Sequence, residues 1–214
     1  MRALTLFILM ALSLSGARAS VGINIVVRDA GTGSPVPNAV IMLPDSGAAQ
    51  PLDQPAVVVQ SGRQFHPHLQ VVPVGSLVEF PNRDNTQHHV YSFSPARRFN
   101  IELYSGRPES PIRFPDPGVV ELGCNIHDRM QAFILVSPYA TNVVTDDAGH
   151  ARIEPAPDAP FPVRIWHERL PDNTAPETRR VEPENGSIEL TLTLTPAQAD
   201  DDPFADLQRR FDSL

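Results

Sequence analysis

Short apolar segments alternate with polar stretches rich in proline and glycine along most of this chain. Residues 21–28 (VGINIVVR) set Ile23, Ile25 and Val27 on one face of an extended segment, because successive side chains of a strand point to opposite sides. Residues 29–34 (DAGTGS) read as a turn, residues 40–43 as a strand and residues 44–56 as a loop. Residues 57–60 form a short strand. Residues 69–72 and 76–80 flank Pro73-Val74-Gly75 as a hairpin-like unit. A polar loop at 81–87 (PNRDNTQ) precedes the alternating segment 88–93. Further strands are predicted at 99–104, 112–114, 119–122 and 131–136, with a turn at 116–118.

Beyond Ser137-Pro138 the same alternation continues. Residues 142–145 and 151–153 flank a glycine-bearing turn at 146–149 as a hairpin, and residues 161–166 read as a strand. Asn185-Gly186, following Val181-Glu182-Pro183, signals a second hairpin. The cleanest alternation lies at 187–194 (SIELTLTL), where Ile188, Leu190, Leu192 and Leu194 share one face. The pattern predicts an all-β protein: a first β-sandwich over residues 20–136 and a small second β-sandwich over 137–196. About 60 residues is marginal for a free-standing domain, so the second is expected to pack on the first. Residues 197–214 form an acidic tail in which Phe204, Leu207 and Phe211 fall at helical spacing.

The N-terminus stands apart from this pattern. A basic start at Arg2, an apolar run over residues 3–14 and a small-x-small site at Ala17-Arg18-Ala19 read as a secretory signal peptide of residues 1–19, cut before Ser20. The run is too short to span a bilayer, and no other stretch is long and apolar enough, so the mature chain is expected to be periplasmic or secreted, without a transmembrane span. Composition supports the β reading, since 23 of the 214 residues are proline. The formal charge is −8, and all 17 basic residues are arginine. An acidic chain of this kind repels nucleic acid and anionic membrane surfaces.

Cysteine use changes the picture most. One cysteine cannot form an internal disulfide, and an exported thiol is a liability unless it is buried or bound to metal. The bland reading makes Cys124 and Met130 core residues. Cys124, however, is followed by His127 and Met130 at steps of three, and the pair His88-His89 lies upstream. One thiolate, two imidazoles and a thioether form the donor set of a mononuclear type 1 copper site, with a trigonal His2Cys plane and a long axial Met. Zinc gains little from Met, and a single cysteine rules out a two-thiolate binuclear centre. His88 and His89 point to opposite faces of a strand, so one of them reaches the ion, and periodicity alone does not choose which. The predicted metal ligands are therefore Cys124, His127 and Met130, with either His88 or His89 as the further imidazole. His66 and His68 flank Pro67 as a weaker candidate. Trp166 is expected to be packed, His167 exposed and His150 solvated. No nucleophile–base pair argues for an enzyme.

His88-His89-Val90, followed by Cys124-Asn125-Ile126-His127-Asp128-Arg129-Met130, resembles the plastocyanin/amicyanin branch of the cupredoxins, and the Cys-x2-His-x2-Met loop looks most like amicyanin's. Phe80-Pro81-Asn82-Arg83-Asp84, His88 to Phe93 and Gly123 to Asp128 resemble the larger plastocyanin-like proteins often labelled methylamine-utilisation proteins. The similarity covers roughly residues 57–137. It implies a Greek-key cupredoxin sandwich with one copper ion, His88 as the first ligand, and a one-electron carrier working between soluble or membrane-bound redox proteins. His127 would be the electron's exit, through an apolar patch holding Ile126 and Pro138 or Tyr139. The family has Asn where this chain has His89. The alternative function is a copper chaperone or store, which His66 and His68 would fit. Residues 145–149 and 162–167 resemble carboxypeptidase regulatory-like or transthyretin-like modules.

Overall fold

The computed structural model describes residues 22–127 and 129–196. The leader expected at 1–19 and the tail at 197–214 lie outside the described residues. Among the described residues there is no helix, and seventeen strands follow one another. The first ten are β1 (Ile23–Asp29), β2 (Val40–Ala48), β3 (Ala56–Val57), β4 (Val59–Ser61), β5 (Gln64–His66), β6 (Leu69–Pro73), β7 (Leu77–Glu79), β8 (His88–Ser92), β9 (Phe99–Tyr104) and β10 (Ile112–Arg113). They are followed by β11 (Gly118–Gly123), β12 (Gln131–Ser137), β13 (Tyr139–Val144), β14 (His150–Ile153), β15 (Phe161–Trp166), β16 (Glu177–Val181) and β17 (Ser187–Leu192).

The strands build two packed units. In one, the five-stranded sheet β6-β12-β11-β8-β9 faces the three-stranded sheet β10-β7-β3, with the β4–β5 hairpin beside them. Their shared core holds Phe80, Val90, Phe114, Val120, Leu122, Cys124, Met130 and Ile134. In the other, the sheet β14-β1-β17 faces β13-β2-β15-β16, around Ile25, Val27, Ile41, Ile165, Trp166 and Leu192.

The two cores meet at β12, whose six residues after Gln131 are all buried. Ala132, Ile134 and Val136 enter the core that contains Cys124, while Phe133 and Leu135 enter the other. β11 does the same, with Val120 and Leu122 on one side and Val119 on the other. A strand covered on both faces reads as a continuous apolar run, and residues 132–136 (AFILV) are such a run.

Strand pairing departs from the division expected at residues 136/137. β1 lies between β14 and β17, and β2 between β13 and β15, so residues 23–48 join the C-terminal strands and not the sheet around Cys124. Three expected hairpins are likewise connections between sheets. β6 pairs with β12 while β7 pairs with β10 and β3. β13 pairs with β2 while β14 pairs with β1. The Asn185-Gly186 turn forms as predicted, with φ of 52° and 76°, but it passes the chain from β16, which pairs with β15, to β17, which pairs with β1. The physical reason is common to all three. Turn chemistry fixes a local reversal of direction, whereas partner choice follows from burial of the strand faces, and here non-local partners bury them.

β2 also runs past its expected end, through Pro44 to Ala48. Its pairing with β15 stops at Met42, so Pro44, which has no N–H to donate, lies where β15 no longer pairs with the strand.

Candidate metal centre

The loop 124–130 is closed by the two strands that flank it. Gly123 pairs with Gln131 at the end of the antiparallel β11–β12 ladder. The Cys124 N–H donates to the Met130 carbonyl at 3.2 Å, and the Met130 N–H donates to the His127 carbonyl at 2.9 Å. Gly123 also pairs with Tyr91 on β8. Because these strands are antiparallel, stepping back from Tyr91 to His88 moves in the same direction as stepping forward from Gly123 into the loop. The register thus carries His88 to the end of the sheet where Cys124 sits.

His88, Val90 and Ser92 face inward, and His89 and Tyr91 are only half-buried. His88 is wholly buried and Cys124 is 5% exposed. The Cys124 Sγ lies 3.9 Å from His88 Nδ1 and 3.8 Å from His127 Nδ1. One donor atom from each of the three residues falls within 4.8 Å of the others. Metal–sulfur and metal–nitrogen bonds of about 2.3 and 2.0 Å span the two sulfur–nitrogen separations at open angles. The three residues could hold a metal ion, and a thiolate with two imidazoles is a donor set whose chemistry suits copper. Met130 is buried in the same core cluster as Cys124.

The structure brings His88, not His89, into this group. The His89 ring packs on Tyr91 at 5.4 Å, and Tyr91 packs on Phe93 at 5.1 Å. Tyr91 in turn lies over Gly123, where an added Cβ would sit 2.7 Å from the tyrosine ring. His66 and His68 are directed elsewhere: His66 Nε2 is 3.2 Å from the Ser61 carbonyl, and His68 Nε2 is 2.5 Å from Glu168. Trp166 is packed as expected, but His167 is only 5% exposed, a correction to its expected exposure. Its Nδ1 accepts the Arg169 N–H at 3.1 Å, and burial pushes its pKa down. His150 is exposed. Ile126 is 48% exposed beside half-buried His127, whereas Tyr139 packs against the core of the other unit.

Two residues around the group went unassigned at the level of sequence. Asn82 is buried, and its side-chain N–H2 donates to the Thr86 and Tyr104 carbonyls at 2.8 and 2.9 Å. Its Oδ1 accepts the Asp84 N–H at 2.9 Å. Asp84 Oδ2 lies 2.7 Å from His88 Nε2. The Arg63 N–H first, and the His88 ring second, hold the Asp84 carboxyl down at about 2. The available signal was an acid four residues before a candidate ligand, inside a loop whose polar composition otherwise reads as solvated.

No family model and no curated protein matches the chain. Solved structures match parts of it. A copper-containing nitrite reductase from Thermus scotoductus SA-01 is 26% identical over 39% of this chain and 22% of its own length, with a TM-score of 0.37. A point mutant of amicyanin, in its reduced Cu(I) form, is 18% identical over 45% of this chain and 98% of its own, with a TM-score of 0.36. A purple cupredoxin from Nitrosopumilus maritimus is 21% identical over 38% of this chain and 99% of its own, with a TM-score of 0.35. The chain thus spans about a fifth of the length of the nitrite reductase.

Proposed function

We propose that this protein is a cupredoxin-type electron carrier, with His88, Cys124, His127 and Met130 holding one type 1 copper ion. The observation that carries the reading is the pair of Nδ1 atoms, from two separate parts of the chain, that face one buried thiol at 3.9 and 3.8 Å. When bound, copper supplies a one-electron Cu(II)/Cu(I) couple. The protein's part is to keep the donors in one arrangement for both oxidation states. β8, β11 and β12 fix His88 and both ends of the loop, so little reorganisation accompanies the transfer. Half-buried His127, beside exposed Ile126, is the contact point for a redox partner. The copper-store alternative would add His66 and His68, but these lie by the Ser61 carbonyl and Glu168 and are not part of the group around Cys124, which favours the carrier reading.

The reading extends to export through the leader at residues 1–19, which N-terminal sequencing of the mature protein tests. Among the described residues, no helix is long and apolar enough to cross a membrane. The decisive experiment is a visible and EPR spectrum of the Cu(II)-loaded protein beside Cys124→Ser. An intense blue absorption with narrow copper hyperfine splitting, lost in the variant, is the expected result. A pale spectrum that the substitution leaves unchanged overturns the proposal.

A further inference from the structure

The β4–β5 hairpin turns through Gly62 and Arg63, whose φ angles are 62° and 59°. Two successive residues in this left-handed conformation point consecutive backbone N–H groups the same way, which makes an anion-binding concavity. An anion already fills it. Gly62 N–H donates to Asp84 Oδ1 at 2.7 Å, and Arg63 N–H donates to Asp84 Oδ2 at 2.9 Å. The carboxylate is also anchored from behind by the Asp84 N–H bond to Asn82 Oδ1. From this seat Oδ2 reaches His88 Nε2 at 2.7 Å. The opposite nitrogen, His88 Nδ1, faces the Cys124 thiol, and the ring between them is fully buried.

A carboxylate that already accepts two backbone N–H groups has only acceptor oxygens to offer the imidazole, so the proton belongs on Nε2 and the lone pair on Nδ1. Resting on the copper-site reading above, we propose that Asp84, seated by the Gly62–Arg63 turn, is the positioning residue that locks His88 in the Nε2–H tautomer. Its fixed negative charge, one ring away from the thiol, biases the site toward its oxidised form. Carboxylates that hold the far nitrogen of a metal-ligating histidine fix ring orientation and raise ligand basicity. Here the holder is itself held by a turn about twenty residues away in sequence, a feature that no local motif contains.

The test compares the parent chain with Asp84→Asn. In the copper-free protein, long-range 15N–1H correlation of the imidazole nitrogens reads the His88 tautomer directly. The parent is expected to show Nε2–H. The variant, whose amide N–H2 can donate to Nε2, is expected to move the proton toward Nδ1 and the thiol. In the copper-loaded proteins, the variant is expected to favour the reduced form by about tenfold, a rise of about 59 mV for a one-electron couple. A parent His88 protonated at Nδ1 overturns the proposal without any variant. So does an Asp84→Asn protein that melts at a lower temperature but keeps both tautomer and potential, since Asp84 would then only tie down the turn. If the parent shows no copper–thiolate absorption, the electron-carrier reading fails by itself, and the copper-free tautomer still decides whether Asp84 orients His88.

Discussion

His88 and His89 have the same chemistry and sit side by side, yet their surroundings give them opposite roles. His88 shares the inward face of β8 with Val90 in the core around Cys124, while His89 lies on the outer face against Tyr91. His89→Ala is therefore expected to leave the copper absorption unchanged, whereas His88→Ala abolishes it, as read by titrating Cu(II) into each variant. Equal loss in both would place the first ligand on the wrong face. Cys124 shows the same dependence on context. In isolation it is one buried thiol, and its meaning comes from two imidazole nitrogens at 3.9 and 3.8 Å.

At the scale of elements, the turns that carry the chain between sheets bear the tightest backbone constraints. Gly149 has φ +74°, and a Cβ added there would lie 2.5 Å from the Val27 carbonyl oxygen. Both the left-handed conformation and the backbone clash oppose any side chain, so Gly149→Ala is expected to destabilise the protein by about 2 kcal/mol or more in denaturant unfolding. An effect below about 0.5 kcal/mol would mean that the turn opens without cost. The Gly149 carbonyl accepts the Val27 N–H, so distortion of the turn is felt in β1, the middle strand of its sheet. β12 is the second element of consequence. Its alternating residues serve two cores, which makes it a wall common to both units and not the last strand of one domain.

For the whole molecule, that shared wall means the N-terminal strands depend on the C-terminal ones. A chain ending at Ser137 keeps every strand of the sheet around Cys124 but leaves β1 and β2 without partners and bares Phe133 and Leu135. It is expected to be recovered in aggregates, whereas a soluble, cooperatively folding product in a thermal melt would show that residues 20–136 stand alone. The units are also tied by His68 and Glu168, 2.5 Å apart, beside the Phe133–Trp166 ring contact. The hydrogen bond to Glu168 raises the His68 pKa above its ordinary 6.5, and the same bond lowers Glu168 below 4.5. The histidine's contribution is complete below 6.5 and fades as pH rises through its folded value. The carboxylate's is complete above 4.5 and fades as pH falls through its folded value. Both are present between those limits. With side chains 47% and 34% exposed, solvent screening holds the pair to at most about 1 kcal/mol. Glu168→Gln is thus expected to lower stability near pH 5.5 and to have little effect near pH 9, as measured by urea unfolding at each pH; a difference independent of pH would assign the loss to packing.

Local order was legible in the chain wherever it followed from local chemistry. Alternation fixed which residues of β1, β8 and β17 share a face, and apolar runs marked β11 and β12. Steps of three from Cys124 to His127 and Met130 announced a loop with a metal's donor set. Turn residues located the reversals at Gly149 and Asn185-Gly186. Pairing followed from none of these, because a strand exposes the same hydrogen-bonding edge to any partner, and the choice depends on which arrangement buries the most apolar surface across the whole molecule. That is why β1 and β2 joined the C-terminal strands, why β12 came to serve two cores, and why His88 and not His89 faces the core that holds Cys124. It is also why the acceptor behind His88, Asp84, and the turn that holds it came into view only once residues 62, 63, 84 and 88 had been brought to one place.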